Sequence, residues 1–191
     1  MTIIAAAKHN KEVYIGSDTL GSTMRFCQTY GDKLIYHKDF IVAFAGSYRG
    51  AQLVERTVHN IAGKPRDKQD VMEIAEFFKN IFEQVGVSSH SSGEFPSNET
   101  SFILATKDEV YMIENNYQVL VPEEGYIAAG SGEIIAIGTM YGLKNAMGKK
   151  ISAKQMVSLA VKAAINHIPT CGGEVCIRKV TNNNLKHLKK K

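Results

Sequence analysis

Several features that would assign a class at once are missing from this sequence. No stretch of its 191 residues approaches the roughly 20 consecutive apolar residues of a membrane-spanning helix, so no membrane segment is expected. The basic start and long apolar run of a secretory signal are also absent, because Lys8, His9 and Asn10 interrupt the first apolar stretch. Cysteine is scarce. Cys27, Cys171 and Cys176 are an odd number without CxxC spacing, which argues against a disulfide framework and fits a reducing compartment, the cytoplasm by default. Positive charge is thin outside one place. The formal net charge is +4, but Lys186, Lys189, Lys190 and Lys191 lie in the terminal NNNLKHLKKK, which reads as a solvated, mobile tail. Without them the charge is near zero, and no recognised motif accompanies them, so nucleic acid is not an expected partner. The six histidines (His9, His37, His59, His90, His167 and His187) lack metal-ligand spacing. There is no internal repeat and no linker.

What is present is an ordinary globular composition, 44% hydrophobic and 22% charged, in a chain long enough to bury a real core. One domain over residues 2–180, followed by a basic tail over 181–191, is the economical division. The first half reads as strands. TIIAAAK and EVYIGSD flank a His9-Asn10-Lys11 turn and predict an N-terminal hairpin. MRFCQTY, KLIYHK and FIVAFAG follow as short strands rich in β-branched and aromatic residues. The period then changes to that of helices over 48–62 and 70–85, separated by Gly63-Lys64-Pro65. Residues 88–99 read as an exposed polar loop. SFILATK, EVYMIE, YQVLVP and YIAAG return to strands, helices follow near 133–147 and 153–167, and GEVCIRKV is a last strand. Ser152 and Gln155 have the spacing of a capping box. Strand runs alternating in blocks with helix pairs predict an α+β fold, a four-layer αββα sandwich of antiparallel sheets flanked by helix pairs.

Candidate chemistry begins at the opening MTIIAAAK. A threonine exposed by loss of Met1 carries a hydroxyl nucleophile and an α-amine base on one residue. That amine has an ordinary pKa of about 7.7–8.0, so part of it is unprotonated near neutral pH and can take the hydroxyl proton. Such a nucleophile needs a nearby cation, an oxyanion donor and groups that hold both. GSD at 16–18 ends the second hairpin strand and returns Asp18 to the start of the first. Lys33 opens the strand KLIYHK as the candidate cation, with Asp18 its partner. FAGS at 44–47 ends a strand before a helix, where Gly46 allows close approach of a substrate carbonyl. GSG at 130–132 stands in a similar place and brings Ser131 to the same rim.

In this order and spacing, TIIAAA, GSD, the Lys33 strand, AFAGS, AAGSG and CGGEVCI resemble proteasome β-type subunits and the bacterial HslV-type peptidase, from Thr2 to about Val180. The resemblance implies an N-terminal nucleophile hydrolase that cuts peptide bonds inside a ring-shaped compartment. Thr2 would be the nucleophile, its amine the base, Lys33 the activating cation, Asp18 its partner, Gly46 N–H the oxyanion donor, and Ser131 an organiser of the amine. Phe44 and Ser47 would contact substrate, Phe44 near the floor of the first specificity pocket, with core packing an equal reading. No cofactor is required. The segment GEVCI is similar to one that holds sodium through backbone carbonyls, which would involve Gly173, Cys176 and Lys179. The implied partners are protein or peptide substrates, further copies in a hexameric or heptameric double ring, and an ATPase unfoldase.

Departures from the family pattern are also legible. Ile168 stands where proteasome subunits have an aspartate, Cys171 where a serine precedes the Gly-Gly pair, and Lys179 where threonine is usual. The stretch between Asp18 and Lys33 is about one residue short, so substrate contacts around Thr19 to Thr23 are not placed. Cys171 reads as a small buried thiol more readily than as a reactive one. No propeptide is seen beyond Met1, which favours exposure of Thr2 by a methionine aminopeptidase. Two other readings stay open: an amidase of the same fold acting on small molecules, and a non-catalytic ring scaffold like the α-type proteasome subunits.

Overall fold

The computed structural model describes residues 2–22, 27–86 and 97–190. The chain runs β1 (Ile3–His9), β2 (Glu12–Ser17), β3 (Leu20–Ser22), β4 (Cys27–Thr29), β5 (Leu34–Tyr36) and β6 (Phe40–Gly46), then α1 (Tyr48–Thr57) and α2 (Lys68–Gln84). It continues through β7 (Thr100–Thr106), β8 (Val110–Ile113), β9 (Val119–Leu120), β10 (Tyr126–Gly130), α3 (Glu133–Met147), α4 (Ala153–His167) and β11 (Cys176–Lys179). Two antiparallel sheets result, ordered β10-β1-β2-β11 and β5-β6-β7-β8-β9, beside a small β3-β4 ribbon.

Strand alternation explains the layering. In β1, Ile3, Ala5 and Ala7 face α3 and α4, whereas Ile4 and Ala6 face the other sheet. In β6, Phe40, Val42 and Phe44 face α1 and α2, whereas Ile41, Ala43 and Ala45 meet Ile4, Ala6 and Ile15 between the sheets. A strand buried on both faces needs an unbroken apolar run, and IIAAA and FIVAFA supply it. Three apolar layers therefore separate four structural ones, the αββα sandwich expected. Each large aliphatic or aromatic side chain buried in them contributes roughly 1.5–3 kcal/mol.

The predicted hairpin forms, α3 and α4 have the predicted bounds, and the capping box at Ser152 and Gln155 is complete. Other elements differ. The helix predicted over 48–62 ends at Thr57 and tightens into a 3-10 turn, Val58–Asn60. There the Thr57 hydroxyl donates back to the Leu53 carbonyl at 2.7 Å, competing with the helix ladder. Helix α2 starts two residues early because Asp67 caps it, accepting from the Asp70 amide at 3.1 Å. Of the strand predicted from MRFCQTY, Cys27–Thr29 is β4, and residues 24–26 lie outside the described residues. Most of the predicted 88–99 loop, with His90, and Met1 lie outside them too.

The tail corrects another expectation, since packing does not stop at 180. Residues Asn184–Lys190 form a 3-10 segment. Asn184 is fully buried, its backbone and side-chain amides donating to the Lys38 carbonyl at 3.0 and 3.3 Å. The His187 ring lies 5.9 Å from that of Tyr36.

Candidate active site

Register assembles the site. Strand β1 pairs antiparallel with β2 and β10, matching Ile4 with Ser17 and Ile3 with Gly130. Thr2, Asp18 and Ser131, each one residue beyond a strand end, therefore share one rim. Lys33, just before β5, and Gly46, the last residue of β6, reach it from the second sheet.

The centre is an Asp18 carboxylate with no solvent exposure. Its Oδ1 accepts from the Thr2 hydroxyl at 2.5 Å, from the Lys33 ammonium at 2.5 Å and from the Ile3 amide at 3.2 Å. Its Oδ2 accepts from the Gly172 amide at 3.0 Å. Lys33, only 1% exposed, also donates to the Asp18 carbonyl at 3.2 Å and the Leu20 carbonyl at 2.8 Å. All three ammonium donors are thus fixed. Burial lowers the Lys33 pKa from its ordinary 10.5, and Asp18 opposes that shift by charge and hydrogen bond. The Lys33 amide donates to Ser17 Oγ at 3.1 Å, which ties the cation's backbone to the hairpin.

Two glycines are required by geometry. Gly46 has φ +125°, and a Cβ there would lie 1.9 Å from the Glu99 carbonyl oxygen. Gly130 has φ +100°, and its Cβ would lie 2.3 Å from the Thr2 carbonyl oxygen. Only glycine fits such positions without strain. Between them a cleft of about 340 Å³ is lined by Thr2, Gly46, Ser47, Glu99, Ser101 and Ser131, together with Ala45 and Gly130. Ser131 donates to the Thr2 carbonyl at 3.3 Å and contacts the Thr170 hydroxyl at 2.8 Å.

Thr2, Asp18, Lys33, Gly46 and Ser131 are therefore brought together. Ser47 lines the cleft and also caps α1, accepting from the Arg49 amide at 3.2 Å. Phe44 is placed elsewhere. It is 6% exposed, sits in the core under α1 and meets Tyr48 edge-on at 5.2 Å, and the cleft-lining residue of that strand end is Ala45. Gly173, with φ +74°, packs on Thr19, while Cys176 and Lys179 belong to β11. The Lys179 ammonium pairs with Glu12, and its carbonyl has His187 Nε2 at 3.2 Å. Cys171 is buried, burial pushes its thiol pKa up, and its Sγ lies 3.6 Å from Ser131 Oγ. Sequence reasoning passed over Ser17, Leu20, Thr170 and Gly172. Ser17 lay in the GSD motif, but Leu20 and Gly172 act through main-chain atoms and leave no side-chain signal.

This is the N-terminal nucleophile hydrolase fold, and the resemblance to proteasome β-type and HslV-type peptidases read from the motifs is borne out. The chain is similar to the ATP-dependent protease subunit HslV of Enterococcus faecalis, 24% identical over 187 residues that cover 96% of this chain and 92% of that one. Among solved structures it is similar to Thiobacillus denitrificans BPH, with a TM-score of 0.81 at 17% identity over 95% of this chain and 98% of that one. That protein has also been solved in complex with epoxomicin. HslV from Trypanosoma brucei superposes with a TM-score of 0.74 at 19% identity, covering 93% and 98% of the two chains. No family model matches the chain.

Proposed function

We propose that the chain is the peptidase subunit of a self-compartmentalising threonine protease, with Thr2 as nucleophile once Met1 is removed. The observation that carries this reading is the buried Thr2–Asp18–Lys33 contact opening on the Gly46 cleft. An ion pair with so little exposure is costly to bury and adds little stability over an apolar pair, so its presence beside a hydroxyl calls for a chemical reason. While Met1 is attached, the Thr2 nitrogen is an amide and has no basic lone pair. Freed, it becomes an amine that takes the Thr2 hydroxyl proton as the oxygen attacks the scissile carbonyl. The Lys33 charge, fixed by Asp18 and the Leu20 carbonyl, favours the developing alkoxide. The Gly46 N–H stabilises the tetrahedral oxyanion, the amine returns its proton to the leaving group, and water hydrolyses the acyl-enzyme.

The Enterococcus relative is named as a subunit of an ATP-dependent protease, which supports protein substrates and an ATPase partner here. The proposed assembly is a double ring of six or seven copies per ring, in the cytoplasm, with that ATPase as an unfoldase. Sodium, where bound, would be held by the carbonyls of Gly173, Cys176 and Lys179, the neutral oxygen donors a hard cation takes. It would share the Lys179 carbonyl with His187. Intact mass together with labelling by a peptide epoxyketone, which needs both the hydroxyl and the free amine, tests the proposal. Mature protein should begin at Thr2, carry one label there, and lose both labelling and peptide hydrolysis as Thr2→Ala. Active protein that retains Met1 would refute the mechanism, and turnover confined to small amides would refute the substrate class.

A further inference from the structure

We propose that Thr170 is a positioning residue that aims the nucleophile through Ser131, an inference that rests on the peptidase reading above. The hydroxyl inventory sets the direction of the contact. Ser131 has one hydrogen to give, and its Oγ lies 3.3 Å from the Thr2 carbonyl oxygen, which can only accept. With that hydrogen given to Thr2, Thr170 is the donor in the 2.8 Å contact between the two hydroxyls, whose geometry accommodates either direction; Cys171 Sγ is a further neighbour of Ser131 Oγ at 3.6 Å. The result is a one-way chain, from Thr170 O–H to Ser131 Oγ and from Ser131 O–H to the carbonyl of Thr2. Holding that carbonyl, which also accepts from the Gly132 amide at 3.4 Å, fixes rotation about the Thr2 Cα–C bond, and so the directions in which the α-nitrogen and the hydroxyl-bearing Cβ leave Cα.

Its place in the chain makes Thr170 more than a chance neighbour. It sits in the turn after α4 that is closed by the Cys171 amide donating to the Ile168 carbonyl at 2.9 Å. Two residues on, the Gly172 amide donates to Asp18 Oδ2 at 3.0 Å. The Gly172 carbonyl accepts from the amides of Thr19 at 3.2 Å and Leu20 at 3.1 Å, and Leu20 in turn holds Lys33 through its own carbonyl. One three-residue segment thus grips both sides of Thr2: Ser131 through Thr170, and the Asp18–Lys33 pair through Gly172. Neither Ile168 nor Cys171 brings a charge to the turn, since burial keeps the Cys171 thiol protonated. The relay is neutral, so it orients Thr2 without bringing a charge beside its nitrogen.

The test is steady-state hydrolysis of a fluorogenic peptide amide by the full chain with Met1 removed, comparing Thr170→Val, Thr170→Ser and Thr2→Ala. Valine keeps the shape and removes the donor, and serine restores it. The expected result for Thr170→Val is a kcat roughly tenfold lower, the rate equivalent of one neutral hydrogen bond. KM should stay within about twofold, and the pH at which the acid limb of kcat falls should be unchanged. Thr170→Ser should recover most of the rate. Parental kcat in Thr170→Val overturns the proposal. So does a valine variant whose kcat, KM and melting temperature all deteriorate while serine fails to rescue, which marks Thr170 as structural only. Parental activity in Thr2→Ala is a different failure: it sinks the peptidase reading, and the positioning role with it.

Discussion

Replacing Asp18 by asparagine removes the negative member of an ion pair whose side chains are 0% and 2% exposed. The shape is nearly kept, so little of the effect is cavity. Lys33 is left as a buried cation with two carbonyls, those of Asp18 and Leu20, as its remaining acceptors. The new amide group also brings hydrogens to a place where Thr2, Ile3, Lys33 and Gly172 all donate. Breaking a buried pair on one side typically costs about 3–5 kcal/mol. For a domain of this size that lowers the melting temperature by roughly 6–20 °C. The urea midpoint should fall with an unchanged slope. A second substitution separates the causes, because Asp18→Asn combined with Lys33→Met removes the stranded charge and should regain most of the lost stability while remaining inactive.

The same variant has a pH signature. Burial lowers the Lys33 pKa, and the largest opposing effect is the Asp18 charge. With that charge gone, Lys33 sheds its proton at a still lower pH. Between that folded pKa and the ordinary 10.5 the unfolded chain binds more protons than the folded one, so stability rises with pH across this window. Below the window the full desolvation cost of the charged lysine is present. The Asp18→Asn deficit should therefore shrink as pH is raised from the variant's folded Lys33 pKa to the parent's, which burial also holds below 10.5, and stay level above that in an unfolding series. A deficit under about 1 kcal/mol, or a double variant no more stable than the single ones, would refute the reasoning about an uncompensated buried charge.

Gly46→Ala should cost at least about 2 kcal/mol and abolish hydrolysis, because its backbone angle is strained for alanine and its Cβ meets the rigid Glu99 carbonyl; chemical denaturation and peptide turnover check both. With iodoacetamide and mass mapping on folded protein, exposed Cys27 should be modified first, while Cys171 and Cys176, whose thiol pKa values burial raises, lag behind. Phe44→Leu should lower stability by about 1–2 kcal/mol while leaving the preference among matched peptides unchanged, since the ring packs under α1 and away from the cleft. A shift in preference with Phe44→Leu would restore that residue to the substrate site.

The periods of hydrophobicity carried most of the fold. Helices α3 and α4 were legible to the residue because a glycine turn and a serine cap mark their starts. Strand β3 was not, since Leu20-Gly21-Ser22 is three residues long and has no alternation to detect. The site divides in a similar way. Thr2, Asp18, Lys33, Gly46 and Ser131 advertise themselves by side chain, or by lacking one, at strand ends. The groups that lock them in place do not. The Leu20 carbonyl on Lys33 and the Gly172 amide on Asp18 are main-chain contacts that carry no side-chain signature. Thr170 bears a visible hydroxyl, but its partner Ser131 lies 39 positions away in sequence and only the fold joins them.

Phe44 shows where motif and period disagree, and why the period prevails. Along β6 successive side chains alternate between the helix-facing core and the inter-sheet core, so neighbouring residues cannot share a face. Phe40 and Val42 fill the space under α1 and α2, which commits Phe44 to the same side two residues on. Ala45 then faces the other sheet, and its methyl group stands beside Gly46 at the cleft. The consequence reaches specificity. A phenyl floor would have favoured small or medium apolar side chains over basic ones. With alanine, glycine and serine at 45, 46 and 47 and Ser101 nearby, the wall beside Thr2 is built of small side chains. Glu99, just before β7, is the one ionisable side chain among the described residues lining it.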